Sequence, residues 1–348
     1  MITLKSIAIE GYKSIAKAEI ELRDLNVIVG ANGSGKSNFL DVIQLIVKSL
    51  TAQTDFKFTP ADRFLHHGVK YTNQISLIVK TKDFQYLLVL KENLDDLNPE
   101  YEEVLDFSEG RPPIIQGSTE SGKAHLKYSK SLIQNNINSF GHYHFEDTSD
   151  TAACKRTQDL HDNRFFRPDA GNLAAYLYRL KVNHPYEFSR IQDCIRLVAP
   201  YFEHFILEPQ EIKGGFIKLE WKQKNSEAYF DAYSFSDGTL RFICLATLLM
   251  QPEPPALILL DEPELGLHPF AITLLAEMLA DASVKSQIIV ATQSVTLLNW
   301  MRPENIIVAE HDGSATTFNR PDMDKLLPWL DEFCIGELWE KNVIGGRP

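Results

Sequence analysis

Eight consecutive residues, Gly30, Ala31, Asn32, Gly33, Ser34, Gly35, Lys36 and Ser37, carry the strongest chemical signal in the chain. They fit G-x-x-x-x-G-K-[ST] at every fixed position. Glycines there let successive backbone N–H groups point inward at phosphate oxygens. A helix opening at the end of the loop adds its partial positive charge. Lys36 then reaches the β- and γ-phosphates of a nucleoside triphosphate, and the Ser37 hydroxyl ligates Mg²⁺. Asn38, next along the helix, is counted with the nucleotide-binding residues.

A second cluster lies far downstream. The apolar run 256–260 leads into Asp261 and Glu262. This pattern puts Asp261 at the carboxyl end of a buried strand, where ligands bind in open α/β sheets. Asp261 would hold Mg²⁺, directly or through water, and Glu262 would orient the attacking water or take its proton. An acidic pair alone is ordinary on a surface. The phosphate loop in the same chain gives this one its weight.

Between them, Ser234-Phe235-Ser236-Asp237-Gly238-Thr239-Leu240-Arg241 precedes the second cluster by one helix. A serine hydroxyl and glycine amides at a helix start form an anion-binding end, although the same residues in isolation read as a plain N-cap. Pro263-Glu264-Leu265-Gly266-Leu267-His268-Pro269 follows the acidic pair at once, and Thr292-Gln293-Ser294 ends the next strand.

The elements that must position these residues follow from periodicity. Residues 2–10, 18–22 and 25–29 read as strands, and 38–50 as a helix with Leu40, Ile43, Ile46 and Val47 on one face. Residues 75–79 and 85–90 form a hairpin turning at Lys82 and Asp83, and 92–120 reads as polar and loop-rich. Helices are expected at 173–180 and, between Pro185 and Pro200, at 188–198. Residues 205–207 and 216–221 are strand-like. The remainder alternates helix and buried strand: 240–250, 256–260, 269–280, 288–291, 295–300 and a last strand at 306–309. Such alternation implies a parallel sheet covered on both faces. The expectation is one α/β domain over 1–348, with an N-terminal antiparallel lobe (1–130), a helical insert (131–205) and a C-terminal lobe (206–348). No heptad run occurs, so no coiled-coil arm is expected.

Taken together, the motifs resemble those of ABC-type ATPases of the RecF and SMC-head kind. This resemblance implies a P-loop fold with a mixed sheet. It makes 30–37 the Walker A loop, 256–262 Walker B, Ser236 and Gly238 the signature, and 263–269 the D-loop. In that family the signature serine and glycine meet the γ-phosphate held by a second copy, which implies a homodimer sandwiching ATP and Mg²⁺. The family usually carries a switch histidine where this chain has Gln293. Glutamine can donate a hydrogen bond but cannot take up a proton in water's pH range, so turnover is expected to be slow. Gly11-Tyr12-Lys13-Ser14-Ile15 resembles the N-terminal G-F-K-S element, placing Lys13 near nucleotide or DNA; an exposed turn lysine fits it equally. Gln74 and Gln134 are the Q-loop candidates. The stretches 143–148, 171–173 and 336–339 resemble compact AAA-21-type ATPases, a branch found in bacterial antiphage and mobile-element operons.

Composition bounds the rest. With 44% hydrophobic and 24% charged residues the chain is ordinary for a globular protein. A net charge of −12 argues against coating nucleic acid with the whole surface but leaves room for one basic patch. Arg164, Arg167, Arg179 and Lys181 could form it, or could be solvated helix charges. The four cysteines form no CxxC pair, and His142 and His144 lack a third ligand for a metal. No secretory signal and no membrane-length apolar run is present, so a reduced cytoplasm is the expected location. About forty residues beyond the expected last strand are too few for an effector domain. Three readings stay open: a switch controlling a separately encoded nuclease or toxin in defence, a RecF-like clamp acting on DNA, and an ATP-binding scaffold with little turnover.

Overall fold

The computed structural model describes residues 3–50, 64–91, 100–107, 114–117, 140–210 and 215–346. The chain divides into two compact units. The first comprises residues 1–140, 256–259 and 286–348; the second comprises 141–255 and 260–285.

In the first unit an antiparallel sheet runs in the order β2-β1-β4-β5-β6-β7. Its strands are β1 (Leu4–Tyr12), β2 (Ile15–Glu21), β4 (Gln74–Thr81), β5 (Phe84–Lys91), β6 (Glu100–Phe107) and β7 (Ile114–Gly117). Alternation drives it: Ile7, Ile9, Leu77, Val79, Tyr86 and Leu88 all face inward and are fully buried. The hairpin β4–β5 turns at Lys82 and Asp83 as expected, with Lys80 opposite Gln85. Strands β6 and β7 are a correction, because 92–120 reads as loop. The inward position between Glu102 and Val104 is Glu103, a carboxylate only 1% exposed. Ser49 and Tyr86 both donate to it. A charged residue facing the core breaks the apolar alternation by which a strand is recognised.

The second six-stranded sheet has the order β17-β16-β3-β15-β14-β8, with β3 (Leu25–Val29), β8 (Phe140–Tyr143), β14 (Leu257–Asp261), β15 (Gln287–Thr292), β16 (Ile306–His311) and β17 (Thr316–Asn319). Both β15 and β16 pair β3 in parallel, as the buried apolar runs require. Strand β17 is the second correction: β16 is not the last strand. Its four residues turn only Thr316 and Phe318 inward, too short a pattern to register as a period. Helix α1 (Lys36–Leu50) buries Phe39, Leu40, Ile43 and Ile46 in the core shared by these sheets. Each fully buried side chain of that kind contributes about 1.5–3 kcal/mol. Gln287 splices β1 to this sheet. Its side chain accepts from Leu4 N at 2.9 Å and donates to Leu4 O at 2.8 Å and Arg23 O at 3.0 Å.

The second unit holds α2 (Leu173–Asn183), α3 (Pro185–Val198), α4 (Asp237–Met250) and α5 (Pro269–Ala282). It also holds a three-stranded sheet of β10 (Phe202–Ile206), β12 (Glu220–Gln223) and β13 (Tyr229–Asp231), and the pair β9 (Gln158–Asp159) and β11 (Phe216–Ile217). Helix α4 buries eleven of its fourteen residues, so it is an interior helix rather than an amphipathic one. The chain crosses between units within β14. Back in the first unit are α6 (Val295–Leu298), α7 (Met323–Leu330) and α8 (Ile335–Glu340). Among the described residues no helix is long and apolar enough to cross a membrane, and none is a coiled-coil arm.

Candidate functional site

Strand β3 is buried along its whole length and delivers the chain to Gly30 at its carboxyl end. No side chain fits at Gly30, because a Cβ there would lie 2.3 Å from Ala309 O on β16 and 2.5 Å from Ser34 Oγ. Gly35 has φ +95°, and a Cβ would sit 2.4 Å from Thr316 Oγ1 and 2.8 Å from Ser14 Oγ. The loop is therefore pressed between β16–β17 on one side and the β1–β2 turn on the other. Helix α1 opens at Lys36, whose Nζ donates to Gly30 O at 2.8 Å and Ala31 O at 2.9 Å. The ammonium is thus folded into the loop, 5% exposed, at the place where phosphates would collect.

The donor set fits a triphosphate. Ser34 Oγ is buried without a partner among the described residues, and the α-carbon of Gly33 faces open space. A helix N-terminus supplies N–H donors and partial positive charge. Ser37 is exposed beside Lys36, and Asn38 donates to Ser14 Oγ at 2.8 Å. A cavity of about 510 Å³ adjoins the loop, lined by Ala31–Ser34, by Glu310 and His311 at the end of β16, and by Asp312 just beyond it.

Thr316 escapes sequence reasoning, and Ser14, although part of the element 11–15, is given no role there. Thr316 Oγ1 donates to Ser14 Oγ at 2.8 Å, and Thr316 N donates to Ser14 O at 2.7 Å. A four-residue strand from near the end of the chain thereby braces the loop. Lys13 has φ +45° and pairs with Asp41 at 2.6 Å, on the second turn of α1. Its ammonium is engaged on the flank of the loop helix. Gln293 follows β15, and the register Thr292↔Val29 sets it level with the start of the loop. Gln74 starts β4 and its carbonyl abuts Gly11; Gln134 lies outside the described residues.

The remaining motif residues belong to the second unit. Asp261 ends β14, and Glu262 adopts φ +43°, a left-handed conformation that costs a non-glycine residue about 1–3 kcal/mol. Ser236 is the N-cap of α4. Its Oγ accepts from Thr239 N at 3.2 Å and contacts Thr239 Oγ1 at 2.8 Å, leaving a hydroxyl exposed at the helix start. Aromatic packing holds this corner. Phe235 stacks on Trp221 with ring centroids 4.5 Å apart, and Trp221 stacks on Phe230 at 5.0 Å. Gly238 touches the segment 263–269, since a Cβ there would lie 2.4 Å from Gly266 O. His268 caps α5 through Nδ1, which accepts from Phe270 N, with Pro269 at the first helical position.

Other candidates resolve locally. Arg179 donates to Asn163 O and Arg164 O, Arg167 pairs with Asp162 at 3.3 Å, and Arg164 lies over the Phe165 ring. These guanidinium groups buttress the loop 162–167, Arg179 from α2 and the other two from within it, and Lys181 stands exposed on α2. His142 and His144 meet each other, with ring nitrogens 2.9 Å apart. Among the described residues no group of three His, Cys, Asp or Glu is placed to hold a metal.

The fold and loop define an ABC-type ATPase of the RecF/SMC-head-like superfamily. Two crystal structures share the fold, at a level of identity that speaks for fold alone. One is an SmcHead bound to the C-winged helix domain of ScpA (TM-score 0.58, 18% identity, covering 93% of this chain and 99% of that one). The other is an Smc head domain with an extended coiled coil, bound to the C-terminal domain of ScpA, from Pyrococcus furiosus (TM-score 0.56, 16% identity, 95% and 99%). Residues 25–299 match the family described as "AAA domain, putative AbiEii toxin, Type IV TA system", and the chain belongs to it. A curated relative, the Old nuclease of Escherichia phage P2, is 24% identical over 93% of this chain. The chain spans 62% of that relative's length.

Proposed function

We propose that the chain binds and hydrolyses ATP, and that two copies close around the nucleotide to switch a separately encoded partner, in antiphage defence. The observation that carries this reading is the loop itself: Lys36 drawn in by Gly30 O and Ala31 O, beneath an open-faced Gly33, at the start of a helix. In this reading Gly30–Ser37 and Asn38 hold the phosphates, and Ser37 and Asp261 hold Mg²⁺. When bound, the metal supplies the charge that neutralises the β- and γ-phosphate oxygens. Glu262 aims a water at the γ-phosphorus and accepts its proton. Ser236 and Gly238 offer a hydroxyl and a helix N-terminus to the γ-phosphate bound by the second copy. Gln293 donates a hydrogen bond without exchanging a proton, which makes the switch slow. The partner in this reading is a nuclease or a toxin: the phage P2 relative is named a nuclease, and the matched family is described as a putative toxin.

The test combines two variants. Lys36→Ala should abolish ATP binding in a nucleotide titration. Glu262→Gln should bind ATP, lose phosphate release and accumulate as a dimer by light scattering. Wild-type affinity in Lys36→Ala refutes the phosphate site. A monomer at saturating ATP refutes the sandwich.

A further inference from the structure

Arg241 lies in the first turns of α4, five residues after Ser236, and is 9% exposed. Its guanidinium donates only to backbone carbonyls in the bonds described: Nε to Phe145 O at 3.0 Å, Nη2 to Glu146 O at 3.0 Å, and Nη1 to Leu265 O. Leu265 is the connecting residue. Its carbonyl takes the arginine, and its N–H donates to Glu262 O at 3.1 Å. Leu267 N donates to Glu264 O at 3.0 Å, so 262–267 is a pair of tight turns. The same segment touches α4 a second time, through Gly266 O against Gly238. Glu262 begins these turns in its left-handed conformation, which persists only if the surroundings over-determine it.

From this geometry we infer that Arg241 is a positioning residue: it clamps the D-loop to the signature helix and so fixes the backbone from which Glu262 projects. The inference rests on the ATPase reading for its consequence but not for its geometry. Only an arginine suits the place. A planar fork with five N–H donors serves three carbonyls in different directions, whereas a lysine ammonium is a single point. Binding at Ser236 and placement of Glu262 then become one mechanical event within one protomer.

The experiment uses the full chain with Arg241→Lys. Two measurements are made: hydrogen exchange of the Leu265 and Leu267 amides without nucleotide, and steady-state turnover with KM for ATP. Exchange at both amides should rise about tenfold or more as the turns open locally. Turnover should fall about tenfold or more with KM changed by less than about twofold, the pattern of a lost transition-state contribution. If Arg241→Lys fails to fold, Gly266→Ala decides, because it keeps the arginine but strains the turn at φ +76°. Its expected exchange and kinetic changes are the same. Unchanged exchange in the folded variant overturns the clamp. Raised exchange with wild-type kcat overturns its link to Glu262. If wild type shows no turnover that Lys36→Ala removes, the ATPase reading fails, and the exchange arm still decides the clamp.

Discussion

Replacing Gly35 with alanine should weaken ATP binding by about 30-fold or more, and the reason lies 281 residues away in sequence. At φ +95° an alanine is strained by about 1–3 kcal/mol. The new Cβ would also lie 2.4 Å from Thr316 Oγ1 and 2.8 Å from Ser14 Oγ, so both hydroxyls must move. They belong to a chain in which Asn38 and Thr316 both donate to Ser14 Oγ at 2.8 Å. Losing two such bonds costs about 0.5–1.5 kcal/mol each. The total is about 2–6 kcal/mol; where the free loop relaxes and the nucleotide-bound loop must hold the wild-type shape, the cost falls on binding, and the lower end alone corresponds to about 30-fold in Kd. The assay is titration with a fluorescent ATP analogue, with urea unfolding alongside. Thr316→Ala removes both Thr316 atoms that the new methyl would strike, Oγ1 at 2.4 Å and Cγ2 at 2.8 Å. The double variant should therefore recover part of the loss while keeping the backbone strain, with a coupling of about 1 kcal/mol or more. Additivity within about 0.5 kcal/mol, or wild-type affinity in Gly35→Ala, would show that the C-terminal strand does not brace the loop.

Ser236→Ala removes the N-cap of α4 and should lower stability by about 1 kcal/mol, with ATP affinity retained and turnover reduced about tenfold or more. Urea midpoints and single-turnover rates check both, and undiminished turnover refutes the role given to the signature. Of the four cysteines, Cys334 is exposed, Cys154 and Cys244 are buried, and burial pushes the half-buried Cys194 thiol up to about 11. Because the thiolate is the reactive form, a thiol titration at pH 8 should show one fast equivalent, with the rest released on denaturation; two or more fast equivalents contradict the burial.

What the sequence makes legible is whatever local rules enforce. The loop glycines, the apolar run before Asp261 and the serine at the start of α4 are each fixed by backbone geometry within a few residues. Strand β3 and helix α3 fall where periodicity and the flanking prolines put them. Strands β6 and β17 escape for opposite reasons. One faces the core with a glutamate that Ser49 and Tyr86 satisfy from other elements. The other is too short to show a period.

The supporting contacts are hidden for a deeper reason. Arg241 bonds to the carbonyls of Phe145, Glu146 and Leu265, and Gln287 bonds to the main chain of Leu4 and Arg23. Every residue offers a carbonyl, so such a partner leaves no mark on residue type. Only the donor side is constrained, and an arginine or glutamine in an apolar stretch is the one trace left. Arg241 in the run Leu240–Phe242 is that trace, because a guanidinium inside a buried helix must find partners or leave the core. A charged or amide side chain within an otherwise apolar element is therefore the place to look for the contacts that hold a nucleotide site in shape. Here that rule singles out Gln287 at the splice of the sheets and Arg241 at the turn that presents Glu262.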